Sequence, residues 1–140
     1  IPAIMATAES IDESSNRDDI NAMLWVKKTT DQSAVVLAST KEGHLVSGIA
    51  EHPNVMDTNY LLVPNINDRY DDVRRIYTSF YETPALELLT EYNVRYIVVS
   101  DSAKEEFGFD KLSYISDERC FKRIFDNRRT IQIYEVRCQI

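Results

Sequence analysis

The stretch Thr83 to Ser100, T-P-A-L-E-L-L-T-E-Y-N-V-R-Y-I-V-V-S, constrains the fold more than any other part of the chain, because a well-signalled helix runs straight into a buried strand. Thr83 suits an N-cap. Pro84 suits a first helical turn, where its missing N–H costs nothing, and Ala85, Leu88, Leu89 and Tyr92 recur at helical spacing. Asn93 tolerates the left-handed conformation required just past a helix end, so the pattern predicts a helix over 84–92. Val94 to Val99 is then β-branched and aromatic, with Arg95 as its single charge. A nearly continuous apolar run of this kind reads as a central strand covered on both faces, as in α/β layers.

The remaining elements fit around this pair. Ser14 or Ser15 caps a helix ending near Thr29, with Asp18 and Asp19 in its first turn, where negative charge suits the helix dipole, and Ile20, Met23 and Leu24 on one side. Ala34 to Ala38 reads as a short buried strand and Asn54 to Asp57 as another. Asp68 caps a helix to Phe80 in which Val73, Ile76, Tyr77 and Phe80 share a face. Asp101 or Ser102 caps a short helical turn that Gly108 closes, and Leu112 to Ile115 reads as a further turn. Residues 121–126 and 130–136 form a hairpin around D-N-R-R. The expectation is an α/β layered domain over 14–140, with a mixed, mainly parallel central sheet and a C-terminal antiparallel hairpin. Residues 1–13 carry no periodic pattern and read as a loose lead-in. The chain opens without an initiator Met or a signal-peptide shape, which reads as a piece of a longer protein.

Charge and motifs exclude more than they assign. The net charge of -7, from 16 Lys+Arg against 23 Asp+Glu, is spread along the chain and argues against nucleic acid and anionic lipid as partners. The longest purely aliphatic run, Ala34 to Ala38, is far short of the about 20 residues that cross a bilayer. The 3 glycines are too scattered to cradle a phosphate, the 2 cysteines have no neighbouring histidine to make a zinc site, and there is no G-x-S-x-G elbow. No catalytic residue, cofactor or metal is therefore assigned.

One polar constellation remains, in S-T-K-E-G-H-L-V-S-G-I-A-E-H-P-N-V-M-D: Glu42, Gly43, His44, His52 and Asp57. Folded together, its acids and imidazoles would bind a divalent cation or exchange protons. The simpler reading makes them caps of turns and helices near strand ends. Glu42 to Ala50 is compatible with a short helix that Pro53 stops. Asp57 and Asp101 both follow predicted strands, at the edge where α/β domains place ligands, although capping accounts for Asp101. Cys120 and Cys138 flank the terminal hairpin. A loop of about three residues centred near Arg129 would set them opposite each other for a disulfide, whereas a tighter turn would shift the register and separate them.

The order W-V-K-K-T-T-D-Q-S-A-V-V-L-A-S, an E-G-H loop, N-V-M-D-T-N-Y, R-Y-D-D-V-R-R-I-Y, A-L-E-L-L-T-E-Y-N-V-R-Y-I-V-V and a final I-Y-E-V resembles the soluble region that follows the transmembrane helices in archaeal and bacterial polytopic membrane proteins of the GT-C glycosyltransferase type. It is also distantly similar to the soluble core of oligosaccharyltransferase catalytic subunits, in which a comparable strand leads into a Trp-Trp-Asp-Tyr-Gly motif that helps recognise the acceptor. Here Ser39, Thr40, Lys41, Glu42, Gly43 and His44 stand in that place. An acid and a glycine remain, both tryptophans and the tyrosine are gone, and sequon recognition does not carry over. The resemblance implies a non-catalytic extracytoplasmic module joined to a transmembrane portion of the same polypeptide, with a glycan or acceptor as its substrate contact through Glu42, Gly43, His44 and Asp57. It places the reactive carboxylates in membrane loops absent from this chain. The alternative is a self-contained domain that binds a small molecule or metal through the 42–57 loop. An extracytoplasmic site would favour oxidation of the two cysteines.

Overall fold

The structure is a computed structural model that describes residues 17–55 and 66–140. Its centre is strand β2 (Val94–Ser100), in which every residue but Arg95 is buried. Alternate side chains serve two layers, as the period of a strand requires. Ile97 and Val99 enter a core with Val73, Ile76, Tyr77, Leu86, Leu89 and Phe107, while Tyr96 and Val98 enter a second core with Met23, Val26, Val36, Val46 and Ile133. Burying each of these Val, Ile or Leu side chains contributes about 1.5–3 kcal/mol, so β2 alone secures both layers.

In chain order the elements are α1 (17–29), β1 (Val35–Leu37), α2 (Gly43–Gly48), α3 (Ile66–Thr78), α4 (Glu82–Glu91), β2, α5 (Asp101–Phe107), β3 (Phe121–Asp126) and β4 (Ile131–Val136). The four strands lie in the order β1-β2-β4-β3. β1 pairs with β2 in parallel, β2 with β4 and β3 with β4 in antiparallel fashion, and Val36 makes one further parallel bridge to Asn54. The fold is thus α/β with a mixed sheet and a terminal hairpin. Its parallel part is smaller than expected: beyond Val55 the predicted strand to Asp57 passes outside the described residues, and the antiparallel pairing of β4 with β2 and β3 supplies most of the sheet.

Several ends differ from the sequence reading. α4 starts at Glu82 rather than beyond Thr83, and the extended residue before it, Tyr81, makes no side-chain cap. Pro84 still falls in the first turn, where no intrahelical N–H is needed. α3 stops at Thr78, so Phe80 leaves the helical face assigned to it and is 82% exposed. Ser100, not Asp101 or Ser102, caps α5, its Oγ accepting from the Ala103 N–H at 3.1 Å. Asn93 and Gly108 occupy the left-handed region at φ 55° and 70°, which ends α4 and α5 as the sequence predicts.

The hairpin reverses about Arg129: Asp126 pairs with Gln132, and Arg128 takes a positive φ of 62°. A bulge between Arg123 and Phe125 then moves the register by one residue, and Phe121 pairs with Val136. Just beyond, Cys120 and Cys138 form a disulfide with Cα atoms 4.7 Å apart.

Candidate functional site

β1 and β2 run in parallel, so their carboxyl ends open on the same edge, and the chain turns there twice. After β1 it passes through Ser39, Thr40 and Lys41 into α2, with Glu42 at the N-cap. After β2 it enters α5 through Ser100. Both turns are tied together. Ser39 Oγ lies 3.2 Å from Ser102 Oγ, and the Thr40 N–H and hydroxyl donate to Glu106 Oε1 at 3.1 and 2.9 Å.

Glu42 sits at the centre of this junction and is 1% exposed. Its Oε1 accepts from Ser39 Oγ at 2.7 Å and from Ser100 Oγ at 2.6 Å. Its Oε2 is buried and has no hydrogen-bond donor. The neighbouring group is another acid: the carboxyl of Asp19, on α1, lies within hydrogen-bonding reach of Glu42. α1 is held in this position by Asp18, which accepts from Arg129 Nη2 at 2.6 Å and from Thr130 Oγ1 at 3.2 Å at the tip of the hairpin. Burial, and then the charge of Glu42, push the Asp19 carboxyl up to about 7, with Asp18 and Asp101 adding smaller repulsions. Burial also raises Glu42, against the two serine hydrogen bonds that favour its ionised form. The two carboxyls titrate as a pair, in which one proton serves both.

A cleft of about 570 Å³ opens over this pair, walled by Lys41, His44 and Leu45 on one side and Asp101, Ser102 and Glu105 on the other. Acid dominates it. The serines that touch Glu42 are not reactive groups, because Ser39 and Ser100 are 0% and 1% exposed and neither can meet a substrate.

The structure brings together Glu42, Gly43 and His44, with Glu42 and His44 on the cleft and Gly43 buried at the start of α2. Asp57 lies outside the described residues. Glu42 takes the cap position that the simpler sequence reading allows, and it is buried there because the turn after β1 leads directly into α2 and carries its side chain inward. His52 stands apart. Its Nδ1 is 2.7 Å from the Ala34 carbonyl and its Nε2 is 2.9 Å from Thr30 Oγ1, which makes it a buried brace between α1 and β1. Asp19 was missed, since in sequence it reads only as a favourable charge in a first helical turn. The available signal was the pair of serines, Ser39 and Ser100, each placed just where a buried strand ends. A separate group, Glu82, Asp117 and Cys120, brings its ligand atoms within 4.8 Å of one another, but the Cys120 sulfur is already bonded to Cys138. Among the described residues no helix is long and apolar enough to cross a membrane.

No protein-family model matches the sequence, and no curated protein matches it. Among solved structures the chain is similar to the C-terminal globular domain of an oligosaccharyltransferase from Archaeoglobus fulgidus, with a TM-score of 0.60 and 16% identity, over 84% of this chain and 96% of that one. At this identity the likeness establishes a shared fold.

Proposed function

We propose that this domain is a non-catalytic module of a glycosyltransferase-like membrane polypeptide of GT-C type, lying on the extracytoplasmic face against the transmembrane portion, and that the cleft over Glu42 faces the acceptor. The observation that carries this reading is the shared fold with an oligosaccharyltransferase globular domain, which spans 96% of that domain. The position of the cleft supports it. The cleft lies directly after β1, where the sequence resemblance sets the acceptor-recognition motif, and binding groups on turns of a rigid scaffold are a common arrangement. The Cys120–Cys138 disulfide fits an oxidising, extracytoplasmic setting.

Lys41 and His44 are exposed at the rim, so they can be changed without disturbing the core. In the full-length polypeptide, Lys41→Ala with His44→Ala should raise the KM for acceptor by about tenfold, the loss of one or two polar contacts, with kcat nearly unchanged. An unchanged KM would reduce the cleft to a structural junction. Turnover of a sugar phosphate or glycoside by this domain alone would overturn the non-catalytic assignment. A parent reading frame with no apolar spans of about 20 residues would overturn the membrane assignment.

A further inference from the structure

We propose that the cleft binds one divalent cation of the hard, oxygen-seeking class, with Glu42 and Asp19 as inner ligands and Asp101 closing the site from the rim. This goes beyond the acceptor-facing role and does not depend on it. The starting observation is Glu42 Oε2, a carboxylate oxygen shut away from water with no donor, on a side chain that lines the cleft. Once the proton it shares with Asp19 leaves, an ionised group in that position needs a counter-charge, and burying it without one costs several kcal/mol. No basic side chain supplies it. Among the described residues neither Asp19 nor Glu42 forms an ion pair with lysine or arginine, and the nearby Arg129 is engaged by Asp18.

The surroundings of Glu42 are those of an oriented ligand. Ser39 and Ser100 both donate to Oε1, which fixes the carboxylate plane and leaves Oε2 to a different partner. Asp19 lies within hydrogen-bonding reach of Glu42, and the Asp18–Arg129 contact of 2.6 Å one residue away holds α1 there. Asp101 is exposed at the mouth of the cleft. The donors are carboxylate oxygens, with the Ser102 hydroxyl beside them, a set suited to Ca²⁺, Mg²⁺ or Mn²⁺ rather than to a soft metal.

The test is calorimetric titration of the EDTA-stripped protein with CaCl₂, MgCl₂ or MnCl₂ in about 0.1 M KCl, where salt screens diffuse association. One saturable site is expected for at least one of the three, with Kd at or below about 1 mM. Glu42→Gln should weaken it by about 100-fold, and Asp101→Asn, on an exposed side chain that leaves the fold intact, by about tenfold. Glu118→Gln, outside the cleft, should bind as the wild type does. The absence of saturable binding up to about 10 mM of all three salts would overturn the proposal. So would binding that survives both Glu42→Gln and Asp101→Asn. The readout is cation binding by this chain itself, so its failure leaves the acceptor-facing reading standing, and the converse holds.

Discussion

Replacing Glu42 separates its charge from its hydrogen bonds. In Glu42→Gln the side-chain oxygen still accepts from Ser39 and Ser100, which lie at 2.7 and 2.6 Å, and the new amide can donate to Asp19. In Glu42→Leu both buried serine hydroxyls lose Glu42 as acceptor, and Ser39 keeps only the longer 3.2 Å contact with Ser102. At pH 8 in EDTA, Gln should therefore stabilise the protein by about 1–2 kcal/mol by removing an uncompensated buried charge, and Leu should be less stable than Gln by about 2–4 kcal/mol through the loss of two buried hydrogen bonds. The pH dependence has a definite sign. Asp19 rises from 3.8 to about 7 on folding, so the folded state holds the extra proton between those values. That stability is present at acid pH and is lost as pH climbs through about 7. Asp19 is only half-buried, and with screening the loss between pH 5 and pH 8 should be about 1–2 kcal/mol. Glu42→Gln should reduce this fall by removing the Glu42 repulsion, leaving the part that burial causes, and match the wild type more closely at pH 5 than at pH 8. Urea unfolding of the three proteins at pH 5, 6, 7 and 8, at fixed ionic strength, measures all of this. A wild type equally stable at pH 5 and pH 8, or a Gln variant less stable than wild type at pH 8, would refute the buried carboxyl pair.

Asp19→Asn should likewise flatten the wild-type decline between pH 5 and pH 8, read from urea midpoints, and an undiminished decline would trace it to other groups. Reducing the Cys120–Cys138 bond, which spans a sequence separation of 18, should cost about 3 kcal/mol by releasing loop entropy in the unfolded chain, measured as a fall in urea midpoint with dithiothreitol. Tyr77→Phe should cost about 1–2 kcal/mol, because the hydroxyl donates to the Val98 carbonyl at 2.7 Å in a side chain only 1% exposed. Phe80→Ser, at a residue 82% exposed, should leave the unfolding midpoint within about 0.5 kcal/mol of wild type.

Where local chemistry decides an element, the sequence was sufficient. Val94 to Ser100 is a strand because six of its seven residues are apolar or small and suited to burial, and Asn93 and Gly108 end their helices because few other residues accept a positive φ. The hairpin needed only its alternating residues and polar turn. Sequence reading failed at junctions. Phe80 matches the spacing of α3, but the chain leaves the helix at Thr78, and spacing has no meaning past a helix end. Thr83 has the chemistry of a cap, and yet the helix has already begun at Glu82, in an element that packs against both α3 and β2.

The sequence alone determined the layered α/β class and the central strand, because these rest on residue types and on spacings of a few positions. Tertiary structure decided the site. Asp19, Glu42 and Ser100 are far apart along the chain, and nothing local links an acid in a helical first turn to a cap and to the end of a strand. They meet because β1 and β2 are parallel neighbours, which puts both strand ends on one edge, and because Asp18 fastens α1 across that edge to the hairpin. The same packing turned Glu42 from an ordinary surface acid into a buried one. Burial changes the energy of a charge far more than its identity does, and only the folded chain sets burial.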